Sequence, residues 1–117
     1  MEFGYIGINY KNADQDIRDG VSFTDNGKID FMEKAADAGI SQCMVLSTCN
    51  RSEVYYLVQD TEEHKTMERL YRGNFSAICL DEYLDFRSGK EAIAYLFRVT
   101  AGLESMVLGE DQILGQV

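Results

Sequence analysis

The chain has 117 residues and no proline, a single histidine, and three cysteines without CxxC spacing. Each scarcity excludes something. Without proline there is no Pro-rich linker, and the glycines are spread singly, so one globular domain over residues 1–117 is expected. Cys43, Cys49 and Cys79 are odd in number and unpaired in spacing, which indicates neither a disulfide framework nor a zinc site and fits a reducing cytoplasm. The lone His64 stands among Glu62, Glu63 and Lys65 and reads as an exposed surface residue, leaving no Cys-His pair. No apolar run approaches the roughly 20 residues that span a bilayer, and no basic-then-apolar leader opens the chain. A soluble, unexported, cytoplasmic protein is expected. Positive charge is scarce too: Lys+Arg number 11 against 20 Asp+Glu, a net charge of −9 that repels phosphate backbones over most of the surface. General nucleic-acid binding is disfavoured, whereas a local contact is not. The acidic clusters at 14–19 and 60–63 lack calcium-loop spacing, so no metal is expected.

What is present is patterned. "EFGYIGINY", residues 2–10, reads as a strand, and the polar "KNADQDIRDG" after it reads as a loop anchored by Ile17, closed by the turn signal "TDNG". The spacing predicts a helix over 28–38 with Ile29, Met32 and Ala36 on its buried face and Gly39 as a left-handed stop. "CMVLSTC" and "SEVYYLVQ" read as two strands that can pair as a hairpin around Asn50 and Arg51. Asp60 with Glu63 resembles a capping box opening a helix that carries Met67, Leu70 and Tyr71 and ends near Gly73. "YLDF", residues 83–86, reads as a last strand, and Cys79 before it as core. From Lys90 a long helix is predicted to run toward the C-terminus, mostly buried, with Glu91, Tyr95, Arg98, Gly102, Ser105 and Gly109 on one polar, glycine-notched stripe. The expected fold is α+β: a ferredoxin-like βαββαβ antiparallel sheet with helices on one face, followed by a long C-terminal helical segment. The final residues continue in helix-like sequence, so a longer protein is expected.

One residue invites chemistry. Cys49 ends a strand-like run and is followed at once by Asn50 and Arg51. A thiol is a useful nucleophile only as thiolate, and a nearby guanidinium with turn N–H groups can stabilise both that anion and a developing oxyanion. Thr48 and Asn50 add short polar groups at the same strand end. A cysteine among apolar residues is also commonly an inert small hydrophobe. From the local residues both readings stand.

"LSTCNRSEVYY" together with "YLFRVTAGLESMVLGEDQILGQV" resembles the glutamyl-tRNA reductase family, and the resemblance covers nearly the whole chain. It implies the N-terminal catalytic domain of an NADPH-dependent reductase that converts glutamyl-tRNA to glutamate-1-semialdehyde, the first step of the C5 route to tetrapyrroles. By family position Cys49 is the nucleophile that forms a thioester. Thr48, Arg51 and Ser105 contact the glutamate moiety, Arg51 as a bidentate partner for a carboxylate, and Gln112 participates as well. The resemblance also implies that NADPH is held by a domain absent from this chain, that a dimerisation domain makes the full-length protein a homodimer, and that glutamate-1-semialdehyde aminomutase is a downstream partner. Only the acceptor end of glutamyl-tRNA is expected to meet this domain. There are departures: Tyr95 stands where most members carry a histidine that assists proton transfer, Tyr10 replaces another histidine, and Asp14 replaces a proline. A phenol near pKa 10 is a poor base at neutral pH. An alternative is therefore a catalytically impaired homologue that binds aminoacyl-tRNA or protein partners.

Overall fold

Alternation along the strand sequences resolves into two apolar faces on one sheet. The computed structural model describes residues 1–104 and contains four strands, β1 (Glu2–Asn9), β2 (Cys43–Thr48), β3 (Arg51–Val58) and β4 (Asp85–Ser88). They form an antiparallel sheet in the order β2-β3-β1-β4, with Tyr5 opposite Tyr55, Gly7 opposite Glu53, and Thr48 opposite Arg51. Side chains two apart share a face. Ile6, Ile8, Val45, Val54, Tyr56 and Val58 therefore point one way, and Phe3, Tyr5, Met44, Leu46 and Tyr55 the other.

The first face is covered by α2 (Asp25–Asp37) and α3 (Thr61–Asn74), which bury Phe31, Ala35, Met67 and Tyr71 against it. The second is covered by α4 (Gly89–Thr100) through Ala92, Tyr95 and Val99. The short α1 (Gln15–Gly20) lies in the segment expected to be loop, and Ile17 is its partly buried anchor. Both members of the Asp60/Glu63 pair act at the start of α3: Asp60 accepts from the Glu63 N–H at 3.0 Å, and Glu63 turns back onto the Gln59 N–H.

Several expectations shift. The "TDNG" stretch opens α2, because the Thr24 hydroxyl accepts from the Gly27 N–H at 3.0 Å and caps the helix three residues earlier than predicted. The buried face then belongs to Phe31 and Ala35, and Ile29 is 51% exposed. The last strand runs two residues later than "YLDF". Cys79 is exposed, since turns after α3 bury Leu80 instead. α4 ends at Thr100, short of the unbroken helix expected: Gly102 takes φ +80°, the Leu103 N–H reaches the Arg98 carbonyl at 2.9 Å and the Gly102 N–H reaches Val99. This is a left-handed helix stop that a Cβ disfavours. The outer side of α4 is not buried either, for Ile93 and Phe97 are 42% and 70% exposed.

Candidate active site

Cys49 occupies the turn between β2 and β3 and is exposed. The turn is tied from several sides. The Asn50 carbonyl accepts from the Tyr10 N–H at 2.9 Å, and the Asn50 N–H donates to the Thr48 hydroxyl at 3.1 Å. Arg18, from α1, donates its Nε to the Cys49 carbonyl at 3.1 Å and NH1 to the Ala13 carbonyl at 2.8 Å. Thus the polar segment after β1, unpromising as core, braces the loop that carries the thiol.

Arg51 begins β3 and lies flat inside the second face, its side chain without solvent exposure. NH1 meets Glu53 Oε2 at 3.2 Å and the Tyr95 hydroxyl at 3.4 Å, NH2 donates to the Glu104 carbonyl, and Nε has no partner among the described residues. Glu53 is the hub of this layer and is likewise fully buried. Its carboxylate receives the Tyr5 hydroxyl at 2.8 Å, the Tyr55 hydroxyl at 3.1 Å and the Tyr95 hydroxyl at 3.2 Å. Among the described residues only donors meet it, the arrangement that suits an ionised carboxylate. Asn9 completes the ring by donating to the Tyr95 oxygen at 3.1 Å. Gly7 makes room for all this: a Cβ there would come within 2.8 Å of both Glu53 Cγ and the Tyr5 hydroxyl.

Burial dominates the electrostatics. It lifts the Glu53 carboxyl above its ordinary range, with Arg51 and the phenol hydrogen bonds pulling the other way. Burial also works against the Arg51 charge, yet Glu53 and Tyr95 keep the guanidinium more firmly protonated than usual. Tyr95 is pushed up to about 12 by burial and by Glu53. Its phenol is thus a hydrogen-bonding group and not a base at neutral pH. The Arg87 guanidinium lies 4.1 Å from the Tyr95 ring centroid, a cation–π contact that fixes the ring from the edge of the sheet.

The structure therefore brings Arg51 and Tyr95 together directly, and sets Thr48 at the end of β2, next to the turn that holds Cys49. Ser105 and Gln112 lie outside the described residues. Sequence reasoning did not single out Glu53, Tyr5, Tyr55, Asn9, Lys11, Arg18 or Glu104. A charged residue on the same strand face as an otherwise apolar Tyr55 was the available signal for Glu53. His64 is only half-exposed, its Nδ1 3.0 Å from the Tyr56 hydroxyl and its Nε2 2.6 Å from Glu2, far along the sheet from the cysteine turn. Among the described residues no group of three or more metal-ligating side chains could hold a metal ion. No described helix is long and apolar enough to cross a membrane.

An exposed thiol in a braced strand-end turn and a buried guanidinium–carboxylate layer thus mark one end of an α+β domain with an antiparallel sheet. Comparison then gives the family. Residues 6–117 match the model of the glutamyl-tRNA(Glu) reductase N-terminal domain. A glutamyl-tRNA reductase of Clostridium novyi is 42% identical over 118 residues, covering the whole chain and 29% of that protein. One from Alkaliphilus metalliredigens is 39% identical over 121 residues, again covering the whole chain and 28% of the relative. Among solved structures, a glutamyl-tRNA reductase from Methanopyrus kandleri superposes with a TM-score of 0.72 at 30% identity, over 97% of this chain and 26% of that one. The chain belongs to the glutamyl-tRNA reductase family and corresponds to its N-terminal domain. It spans between a quarter and three-tenths of the length of these relatives.

Proposed function

We propose that this chain is the acyl-capturing domain of a glutamyl-tRNA reductase acting in the C5 route to tetrapyrroles. The Cys49 thiol loses its proton to water, and the thiolate adds to the ester carbonyl of glutamyl-tRNA. The C–O bond to the tRNA ribose then breaks, the tRNA leaves as its hydroxyl after taking a proton from water, and a Cys49 thioester remains. A thioester is less resonance-stabilised than an ester and is the better hydride acceptor. Thr48 and Arg51 contact the glutamyl group, and Ser105 and Gln112 are assigned the same task by their family positions. Tyr95 orients the neighbouring groups and does not carry the proton. The observation that supports the reading most directly is the exposure of Cys49 in a turn fixed by Arg18, Tyr10 and Thr48.

NADPH does not fit these residues. The sheet is antiparallel throughout, and no strand, glycine loop and helix among the described residues form a phosphate cradle. When bound elsewhere in the protein, the nicotinamide supplies the hydride. We further read the split β-α-β-β-α-β succession as ferredoxin-like with a continuing C-terminal helical segment, the whole protein as a cytoplasmic homodimer, and the aminomutase as the consumer of its aldehyde product.

Incubation with glutamyl-tRNA followed by intact-protein mass spectrometry tests the assignment. A glutamyl adduct on Cys49, lost in Cys49→Ser, is expected. An adduct that survives Cys49→Ser refutes the nucleophile, and absence of any adduct favours the binding homologue, the reading that Tyr95 in place of a base motivates.

A further inference from the structure

The peptide bond between Cys49 and Asn50 is held at both ends. Its carbonyl accepts from Arg18 Nε at 3.1 Å, and its N–H, which belongs to Asn50, donates to the Thr48 hydroxyl at 3.1 Å. The next carbonyl, that of Asn50, is taken by the Tyr10 N–H at 2.9 Å. Thr48 and Arg51 are the last pair of the ladder, so Cys49 and Asn50 make up the whole hairpin loop. Two-residue loops that match the strand twist unaided are the primed turns, which require positive φ at one or both positions. Neither Cys49 nor Asn50 has it. Bonds from the segment after β1 therefore select the loop conformation, and Arg18 is the side chain of that segment that reaches the cysteine's own backbone.

Arg18 is itself fixed. Its guanidinium is spread over three neutral acceptors, the Cys49 carbonyl, the Ala13 carbonyl at 2.8 Å and Gln15 Oε1 at 3.0 Å, and Gln15 is steadied by its Nε2 bond to Asp19 at 2.7 Å. The platform is α1. Asp14 caps it by accepting from the Ile17 N–H at 3.1 Å, Ile17 packs on the core, and Ile78 lies so near its last residue that a Cβ on Gly20 would come within 2.6 Å. A planar fork of donors thus bridges this platform and the thiol loop, a geometry that an ammonium does not reproduce. Arg51, next to the loop in sequence, takes no part in the bracing, because its guanidinium is turned inward onto Glu53, Tyr95 and Glu104.

We propose that Arg18 is a positioning residue for the acyl transfer: by holding the Cys49 carbonyl it fixes the direction from which sulfur meets the ester carbonyl, without touching the substrate. The inference rests on the acyl-capture reading above and adds to it a residue outside the two motifs that carry the family likeness. The thiol and the carbonyl of Cys49 leave the same Cα, so a loop freed at the carbonyl lets the sulfur swing. Addition to an acyl carbon needs the reacting atoms about 3–3.5 Å apart and aligned, and a displacement of about 1 Å can cost about a hundredfold in rate. A small neutral alkylating agent makes no such demand, because it can meet an exposed thiol from many directions.

The test compares acylation of Cys49 by glutamyl-tRNA, followed in time by intact-protein mass spectrometry over a range of glutamyl-tRNA concentrations, with alkylation by iodoacetamide, in the parent, Arg18→Met and Arg18→Lys. Cys79, exposed in the turns after α3, reports reagent access, and the half-buried Cys43 of β2 reports an intact sheet. Both variants are expected to lower the maximal acylation rate at least about tenfold, while the half-saturating glutamyl-tRNA concentration and the iodoacetamide rate at Cys49 stay within about twofold of the parent. An unchanged maximal rate in Arg18→Met, a loss confined to weaker saturation, or an equal loss of alkylation overturns the inference. So does full acylation in Arg18→Lys, which assigns the effect to charge and not to the fork. Should Cys43 become reactive in Arg18→Met, Arg18→Lys decides alone. No acylation of the parent removes the acyl-capture reading and this inference together, whereas parent acylation that is indifferent to Arg18 removes this inference only.

Discussion

Glu53→Gln isolates the buried layer beneath the site. The substitution preserves shape but removes the one negative charge that faces Arg51 among the described residues, and the Arg51 side chain is as fully buried as that of Glu53. Stripping one partner from a buried ion pair costs about 3–5 kcal/mol. The amide oxygen keeps an acceptor for one of the phenols, returning about 1 kcal/mol, and its NH2 faces the hydroxyl donors of Tyr5 or Tyr55. The expected net loss is about 2–4 kcal/mol, a large part of the roughly 5–15 kcal/mol typical of a whole domain. With a urea m-value of about 2 kcal/mol/M, the midpoint should fall by about 1–2 M at constant m, read by far-UV circular dichroism. The double variant Arg51→Met/Glu53→Leu should lose less than the sum of its singles by more than about 1.5 kcal/mol, because it leaves no unpaired charge behind. A loss below about 1 kcal/mol for Glu53→Gln, or additive singles, would refute the buried pair as an energetic unit.

Three other outcomes are expected. Phe31→Ala should cost about 3–5 kcal/mol in urea titrations, whereas Ile29→Ser, on the exposed side of the same helix, should stay within about 0.5 kcal/mol; similar losses would place the wrong face of α2 inward. Burial raises the pKa of Tyr5, Tyr55, Tyr56, Tyr71 and Tyr95, with Tyr56 and Tyr95 pushed up to about 12. The unfolded chain therefore releases these protons first, and stability should hold below pH of about 10 and fall above it; phenolate absorbance growing well ahead of loss of circular dichroism would contradict this. Desolvation pushes the Glu104 carboxyl up, but hydrogen bonds from Lys11 and Arg98 outweigh it and leave the group below its usual range. Its contribution to stability is then complete above the ordinary glutamate pKa of about 4.3 and is lost as pH falls through the lower folded value. The urea midpoint difference between the parent and Glu104→Gln should accordingly vanish in acid, and a difference unchanged by pH would exclude the ionic clamp.

Legibility in the sequence followed burial. Val54, Tyr56 and Val58 against Tyr55 alternate because each side of the sheet is covered, so the strands, their hairpin and the Asp60 cap could be read locally. The start of α2 could not, since Asn26 and Gly27 are weak helix formers and only the Thr24 cap, with Phe31 packed inward, makes that turn helical. Family motifs singled out Cys49, Thr48, Arg51 and Tyr95 as candidates. That Arg51 points inward was not legible, because its partners arrive from Glu53, Tyr95 and Glu104, and the last two lie more than forty residues away. The same holds for Arg18, whose bond to the Cys49 carbonyl spans 31 positions.

The sheet is unevenly clothed. Among the described residues, one side carries two long helices and sixteen core side chains, while the other carries α4 and a patch of six. Local opening follows the weaker side, so amide exchange in α4 should run ahead of that in α3 and α2 without global unfolding. The protein could thus lift the cover from its guanidinium layer while the thicker half stays folded. Access to an interior cation would then be a matter of how often one helix breathes.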